Sequence, residues 1–361
     1  MASQKTMKAL VFYGPFDVRL EDRPVPKIIE PDDVIIKTTS AGLCGSELHR
    51  YRGHSKLGME PGYICGHEGV GIISEVGPAV KKFKVGDWVI APFTISCGVC
   101  HHCKRGVTAR CVKVKSFGGP ELDGSQAEYF RAPLADAFLV PAPDDLGELL
   151  ILMSDIYPTG FHGARNAFKE SPAVEWPTMD LAIIGLGPVG ICGLLSALEY
   201  KPKRIFAIDG VEDRLNRAQK LGAIPLNFRT QNVKEEIMKA TDGNGVDAVI
   251  EYVGLSPALR TAFEIIRPGG KISSVGVHNA EIPFTAADGY NRNVFIQFGR
   301  CSVRTVFDDS LASLRRNIEK VQDFIDVIIP LDESFAPALE KFEKNQVNKV
   351  VYKPNGMHPT L

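Results

Sequence analysis

A thiol, a hydroxyl and an imidazole fall within six residues in Cys44-Gly-Ser46-Glu-Leu-His49. A second imidazole with an adjacent carboxylate follows in Gly66-His67-Glu68. Thiolate, imidazole and carboxylate are donors of a catalytic zinc site, where three protein ligands leave one coordination position open. Cys44, His67 and a carboxylate such as Glu68 would hold the ion, and Ser46 and His49 would stand beside it as a proton path. Taken singly, Cys44 reads as a buried apolar thiol and His67 as a core histidine with its hydrogen bonds satisfied. The metal reading rests on their combination with what lies downstream.

The most specific local pattern is Cys97-x-x-Cys100-x-x-Cys103-x7-Cys111. Four thiolates complete a tetrahedral zinc shell with no open position, so this second site would be structural. A redox Cys-x-x-Cys pair would use two of the sulfurs and leave two unexplained. His101 and His102 read as exposed residues of the lobe, because the sulfurs already fill the shell. Cys65, Cys192 and Cys301 fit no ligand spacing and read as structural.

These sites need a scaffold. The 361 residues suggest two domains. Apolar content is 44%, charged content 24% and formal net charge -1, so no basic field points to nucleic acid. No apolar run is long enough for a membrane span, and Met1 to Thr6 lack the apolar stretch of a secretory leader. A cytoplasmic location is expected, which suits a cluster of reduced thiols. Met7 to Tyr13 and Asp33 to Thr39 read as strands, with Pro24, Pro26 and Pro31 breaking the chain between them. The second strand delivers the chain to Cys44. From Gly66 through Val89, glycines among apolar residues without helical period suggest a twisted, barrel-like β unit.

The second half has a different signature. Asp180-Leu-Ala-Ile-Ile-Gly185-Leu-Gly187-Pro188-Val189-Gly190 reads as strand, tight turn and helix start, followed by an apolar helix from Ile191 to Tyr200. In that context the glycines let backbone N–H groups and a helix N-terminus meet a pyrophosphate. Arg204 to Asp209 is a second strand, and its terminal acid falls where a ribose diol is bound. Asp209 would repel a 2′-phosphate, favouring NAD over NADP. Arg214, on the next helix over the adenosine, is the feature that could help NADP. The strands Val246–Gly254 and Gly270–Val277 continue the alternation, with Val275 and Val277 passing near the nicotinamide.

Together these motifs resemble the zinc-containing alcohol dehydrogenases of the medium-chain dehydrogenase/reductase superfamily. Cys44-Gly-Ser-Glu-Leu-His49, Gly66-His-Glu-x-x-Gly71-x5-Gly77, Gly86-Asp-x-Val89, the four-cysteine lobe and the glycine-rich turn carry the likeness over nearly the whole chain. The resemblance implies an α/β fold, a GroES-like β-rich catalytic domain (1–157 and 299–361) plus a Rossmann doubly wound parallel sheet (158–298). It implies one catalytic and one structural zinc, NAD as cofactor, a small alcohol or aldehyde as substrate, and a homodimer or homotetramer. The family's third zinc ligand, often a cysteine four residues before a Thr-Gly pair, is here Asp155, as in the formaldehyde dehydrogenase and dismutase branch. Asp155 could instead cap the helix that follows. Glu68 is the competing carboxylate, expected near the metal but outside bonding distance, since neighbours on an extended strand point to opposite faces. By the same resemblance Thr159 would lie at the cofactor, Phe93 would line the substrate pocket, and Lys349 would reach the pyrophosphate. The implied reaction is hydride transfer between an alcohol and NAD. The alternatives are a redox-neutral isomerase or dismutase with tightly held NAD, or a non-catalytic binding protein on the same scaffold.

Overall fold

A computed structural model describes residues 5–55, 58–278 and 281–356. The chain divides into two units, Met1–Pro158 with Ser302–Leu361, and Thr159–Cys301.

The first unit opens with β1 (Thr6–Gly14) and β2 (Asp17–Pro24), which form an antiparallel ladder of their own. Strand β2 is absent from the strands expected above, although Val18 and Leu20 alternate with charged residues in the period of a half-buried strand. Then come β3 (Val34–Leu43), β4 (Glu68–Val76), β5 (Trp88–Ala91), β6 (Tyr129–Ala132) and β7 (Val140–Pro141). Short helices α1 (Glu47–Tyr51), α2 (His101–Lys104) and α3 (Ala135–Phe138) interrupt them. Helix α4 (Ile156–Phe168) carries the chain into the second unit.

That unit is a parallel sheet of β8 (Asp180–Ile184), β9 (Arg204–Asp209), β10 (Ile224–Asn227), β11 (Val246–Glu251), β12 (Ile266–Ser274) and β13 (Phe295–Phe298), in the order β10-β9-β8-β11-β12-β13. Helix α5 (Pro188–Leu198) follows β8 and α6 (Glu212–Lys220) follows β9. Strand β8 is buried along its whole length, as expected where both faces of a parallel sheet are covered. Ala182, Phe206, Val249 and Ile272 belong to one core cluster. The strand order reverses between β8 and β11. Ligands of open α/β sheets bind outside the carboxyl ends of the strands at such a point.

The C-terminal segment returns to the first unit with β14 (Val327–Pro330) and β15 (Val350–Lys353), completing a seven-stranded sheet. Its order is β14-β15-β3-β4-β5-β7, with β6 also paired to β3. A GroES-like unit plus a Rossmann-type sheet is the architecture expected from the motifs. Among the described residues no helix is long and apolar enough to cross a membrane.

Candidate active site

Strand β3 ends at Leu43, so Cys44 is the first residue to leave the sheet. Its antiparallel neighbour β4 starts at Glu68, with Gly42 opposite Glu68 in the register. Sheet pairing therefore brings Cys44 and His67 together across 23 positions of sequence. Asp155 closes the 3-10 segment Gly147–Ser154, and the Phe93 N–H donates to the Ser154 carbonyl at 3.0 Å beside it. The Asp155 carboxylate lies 3.2 Å from His67 Nε2 and 3.7 Å from Cys44 Sγ. Ser46 Oγ is 3.4 Å from that sulfur and 3.3 Å from the same imidazole nitrogen. One donor atom from each of Cys44, His67, Glu68 and Asp155 lies within 4.8 Å of the others. A sulfur, a nitrogen and oxygens converging at this spacing fit zinc.

Glu68 sits closer to this group than strand alternation suggests. Gly66 at φ +95° bends the chain just before it. A side chain at Gly42 would overlap the Glu68 carboxylate, so the glycine opens the space that the acid fills. Glu68 is fully buried. Its Oε2 accepts from Lys349 Nζ, and its Oε1 has no hydrogen-bond partner among the described residues. A buried carboxylate oxygen without a donor, beside sulfur and nitrogen ligands, suits a site that takes a cation.

The expectation that Lys349 reaches a pyrophosphate is not met. Its Nζ is wholly buried between Glu68 and the Leu43 carbonyl, the latter at 3.0 Å. The residue precedes β15, which pairs with the end of β3 at Val350↔Leu43. The ammonium is thus delivered beneath the metal-ligand group and committed to it.

Glu47 belongs to none of the ligand sets read from the sequence. Its carboxylate accepts from Cys44 N–H at 3.0 Å and from Gly66 N–H at 2.9 Å, and lies 4.0 Å from His67 Nδ1. Gln126 Nε2 holds the same carboxylate at 3.2 and 3.3 Å and the Gly42 carbonyl at 3.2 Å. At 4.0 Å this carboxylate acts on His67 through its charge rather than a hydrogen bond, and it ties the Cys44 and Gly66 backbone together beneath the ligand group. An acid three residues after Cys44 was the available signal.

The electrostatics match a group built for a cation. Burial pushes the Cys44 thiol up, and His67 opposes it. Burial disfavours protonation of His67, but the Cys44 sulfur and the Asp155 and Glu47 carboxylates outweigh it and raise its pKa well above the ordinary value. Burial raises Glu68 too, against the pull of Lys349. Three acidic donors crowd one desolvated space. Burial favours a proton on the Cys44 thiol, and binding a divalent ion there would release it. His49 lies on α1 and is half-buried. Burial, then His54 and Arg52, lower its pKa, which favours the neutral form.

In the lobe, Cys97, Cys100, Cys103 and Cys111 form a second group with sulfurs within 4.8 Å of one another. Cys100 Sγ lies 3.5 Å from Cys103 Sγ and 3.9 Å from Cys111 Sγ. Backbone N–H groups of Cys97 and Lys113 point at Cys111 Sγ from 3.2 and 3.3 Å. Backbone N–H groups at Val112 and Cys103 bring the Cys100 thiol down to about 6, whereas burial pushes Cys103 up to about 12. His101 and His102 are exposed.

In the second unit Gly185 adopts φ +88°, and α5 starts at Pro188, one residue past Gly187. A side chain at Gly190 would overlap the Gly185 carbonyl, so the helix can approach the turn only with glycine there. Asp209, the last residue of β9, accepts from Leu186 N–H at 2.7 Å and from the Gly210 and Val211 N–H groups at 2.7 and 2.9 Å. Arg214 Nη1 lies 3.8 Å from Oδ2, the oxygen that accepts from Leu186. Acid and turn are therefore held as one unit. Val189 lies in the first turn of α5, Thr159 lies in α4, and Val275 and Val277 follow the end of β12.

Residues 30–144 match a family model described as the alcohol dehydrogenase GroES-like domain, and residues 188–320 match one described as zinc-binding dehydrogenase. The chain is 45% identical over 356 residues to zinc-type alcohol dehydrogenase B of Aspergillus flavus, covering 98% of this chain and 82% of that protein. It is 50% identical over 291 residues to a medium chain reductase/dehydrogenase of Acremonium sp, covering 80% of this chain and 99% of that protein. Among solved structures, an alcohol dehydrogenase from Thermus sp. ATN1 superposes with a TM-score of 0.87 at 34% identity, covering 96% of this chain and 99% of that one.

Proposed function

Because the chain belongs to the zinc-type alcohol dehydrogenase family, we propose that it transfers a hydride between a small alcohol and the nicotinamide of NAD, yielding an aldehyde or ketone. The convergence of Cys44, His67 and Asp155 around the Ser46 hydroxyl supports this reading above all. A zinc ion held there would supply Lewis acidity that lowers the pKa of an alcohol hydroxyl toward neutrality. Ser46 accepts the hydroxyl proton, and the neutral imidazole of His49 relays it onward. The Phe93 ring stands edge-on to His67, 6.2 Å between centroids, and supplies an apolar wall for the substrate. Asp155 would serve as the third protein ligand, and Lys349 holds the neighbouring Glu68 carboxylate. The four-cysteine lobe would hold a second, structural zinc.

NAD is the preferred cofactor, because Asp209 presents a carboxylate where NADP carries its 2′-phosphate. Arg214 offsets part of that repulsion, and a ratio of kcat/KM values near one would show that it prevails. The apolar edge strand β13 exposes Phe295 and Phe298, with Tyr290 nearby in sequence, and suits pairing into dimers or tetramers. A cytoplasmic location fits a thiol cluster that must stay reduced. The deciding experiment is a panel of primary, secondary and polyhydric alcohols and their aldehydes, read by NADH absorbance. Formaldehyde belongs in it because Asp155 carries the likeness to the formaldehyde dehydrogenase branch. No turnover of any member with either cofactor would overturn the proposal.

A further inference from the structure

We propose that His278, with Glu251 and Ser274, forms a positioning network that fixes the floor beneath the nicotinamide half of the cofactor. This inference rests on the dinucleotide reading above. A dinucleotide lies across the carboxyl ends of the strands at the reversal between β8 and β11. Asp209 ends β9 on one side of that reversal, the side of the adenosine ribose. The other half of the cofactor must then cross the ends of β11 and β12. Those strands end on Glu251 and Ser274, which face each other in the parallel register.

Glu251 is fully buried, yet its carboxylate meets four donors. Oε1 accepts from the Val253 and Gly254 N–H groups at 2.6 and 2.7 Å. Oε2 accepts from Ser274 Oγ at 2.8 Å and lies 3.0 Å from His278 Nε2. Ser274 Oγ and His278 Nε2 are 2.8 Å apart, which closes a three-membered network. The imidazole stands edge-on to Phe298, 5.7 Å between centroids. Backbone contacts run alongside it. The Val275 and Gly276 N–H groups donate to the Glu251 carbonyl at 2.9 and 3.2 Å, and a side chain at Gly276 would overlap the Gly254 backbone.

A buried carboxylate is tolerable only when its lone pairs are satisfied. Glu251 therefore welds the turn after β11 to the segment after β12. The strand ends supply three of the donors in place. His278 is the piece contributed by the loop beyond Val277, and it anchors Val275–Val277 from the far side. Its imidazole bonds to Glu251 and Ser274 rather than to the glycine-rich turn or Asp209, so its effect is confined to the nicotinamide half.

The test compares two ligands that differ by the nicotinamide ring of that half. NADH and ADP-ribose, which lacks nicotinamide, are titrated by calorimetry into the unmodified protein, His278→Ala and His278→Gln, with thermal unfolding followed in parallel. His278→Ala should weaken NADH roughly tenfold, the scale of one lost hydrogen bond to a buried charge. ADP-ribose affinity and zinc content should not change. His278→Gln, which keeps a donor of similar reach, should recover most of the NADH affinity. Unchanged NADH affinity in His278→Ala, or an equal loss for ADP-ribose, would overturn the proposal. If His278→Ala does not fold, Ser274→Ala is read with the same two ligands and the same expectations. Failure of the unmodified protein to bind either ligand would instead overturn the dinucleotide reading, and the inference with it.

Discussion

The two metal-ligand groups of the first unit are built in opposite ways. The lobe takes four sulfurs from a single stretch, Cys97 to Cys111, and leaves three of the four cysteines only partly covered. The other group takes a sulfur, a nitrogen and two carboxylates from the end of a strand, the start of its neighbour and the end of a 3-10 segment, and adds a buried ammonium from the residue before β15. In the lobe, the protein helps mainly with backbone N–H groups aimed at sulfur. In the second group, the charged side chains of Lys349 and Glu47 hold the donors. A site whose ligands complete the shell can be a local staple. A site that must keep a position for substrate needs its spare charge managed from elsewhere in the fold.

The largest consequence of this contrast concerns stability. A structural zinc contributes about 10–16 kcal/mol of binding free energy to folding. Cys103→Ser should therefore lose one zinc per chain and cause a large fall in the thermal midpoint, with aggregation on expression. Elemental analysis and calorimetry check it. An unchanged midpoint would mean that the lobe folds without metal. Cys44→Ser should act differently. It should remove the other zinc and reduce kcat/KM to background, while the midpoint moves little. Asp155→Ala should lower zinc affinity at this site about 10–100-fold or more, whereas Glu68→Gln should slow the reaction and retain zinc. The reverse pattern would make Glu68 the ligand.

The difference in construction also explains what the sequence makes legible. The lobe can be read from spacing, because all its ligands lie within one short stretch. The turn around Gly185 to Gly190 can be read because local conformation demands glycine there. Cys44 and His67 are recognisable by type, but their meeting depends on the β3–β4 register. Strand alternation alone points the Glu68 carboxylate away from the donors. The bend at Gly66 and the space at Gly42 bring it alongside them instead. Lys349 is unreadable in this role: 281 positions separate it from Glu68, and only the β15–β3 pairing brings them together. His278 lacks any motif for the same reason, since its partners end two different strands.

Lys349 gives the next effect in size. Removing one member of a buried ion pair costs about 3–5 kcal/mol, because the remaining charge is left without a partner. Lys349→Met should lower stability by that amount in zinc-free protein. Zinc should restore part of it, because the freed Glu68 carboxylate can turn to the metal. Chemical denaturation with and without zinc measures both. Lys349→Arg should be milder, since it keeps the charge. If Lys349→Met is as stable as the unmodified protein, Glu68 is protonated there and the pair does not carry the charge balance.

The smallest effect tests the comparison itself, because burial and coordination pull in opposite directions. The lobe cysteines are more exposed, which would let a chelator reach their metal first. The other group is buried, but three protein ligands there would leave a coordination position free, and a chelator enters through a ternary complex at such a position. In the lobe a chelator must displace a thiolate, and the loss of metal is coupled to unfolding of the loop. The open position should therefore decide. Dialysis against a bidentate chelator at neutral pH should remove one zinc and the activity together, with the thermal midpoint almost unchanged, and added zinc should restore turnover. The second zinc should leave only as the protein unfolds. If thiol-reactive dye reports exposed lobe cysteines before activity falls, exposure outweighs coordination, and the lobe is the labile site.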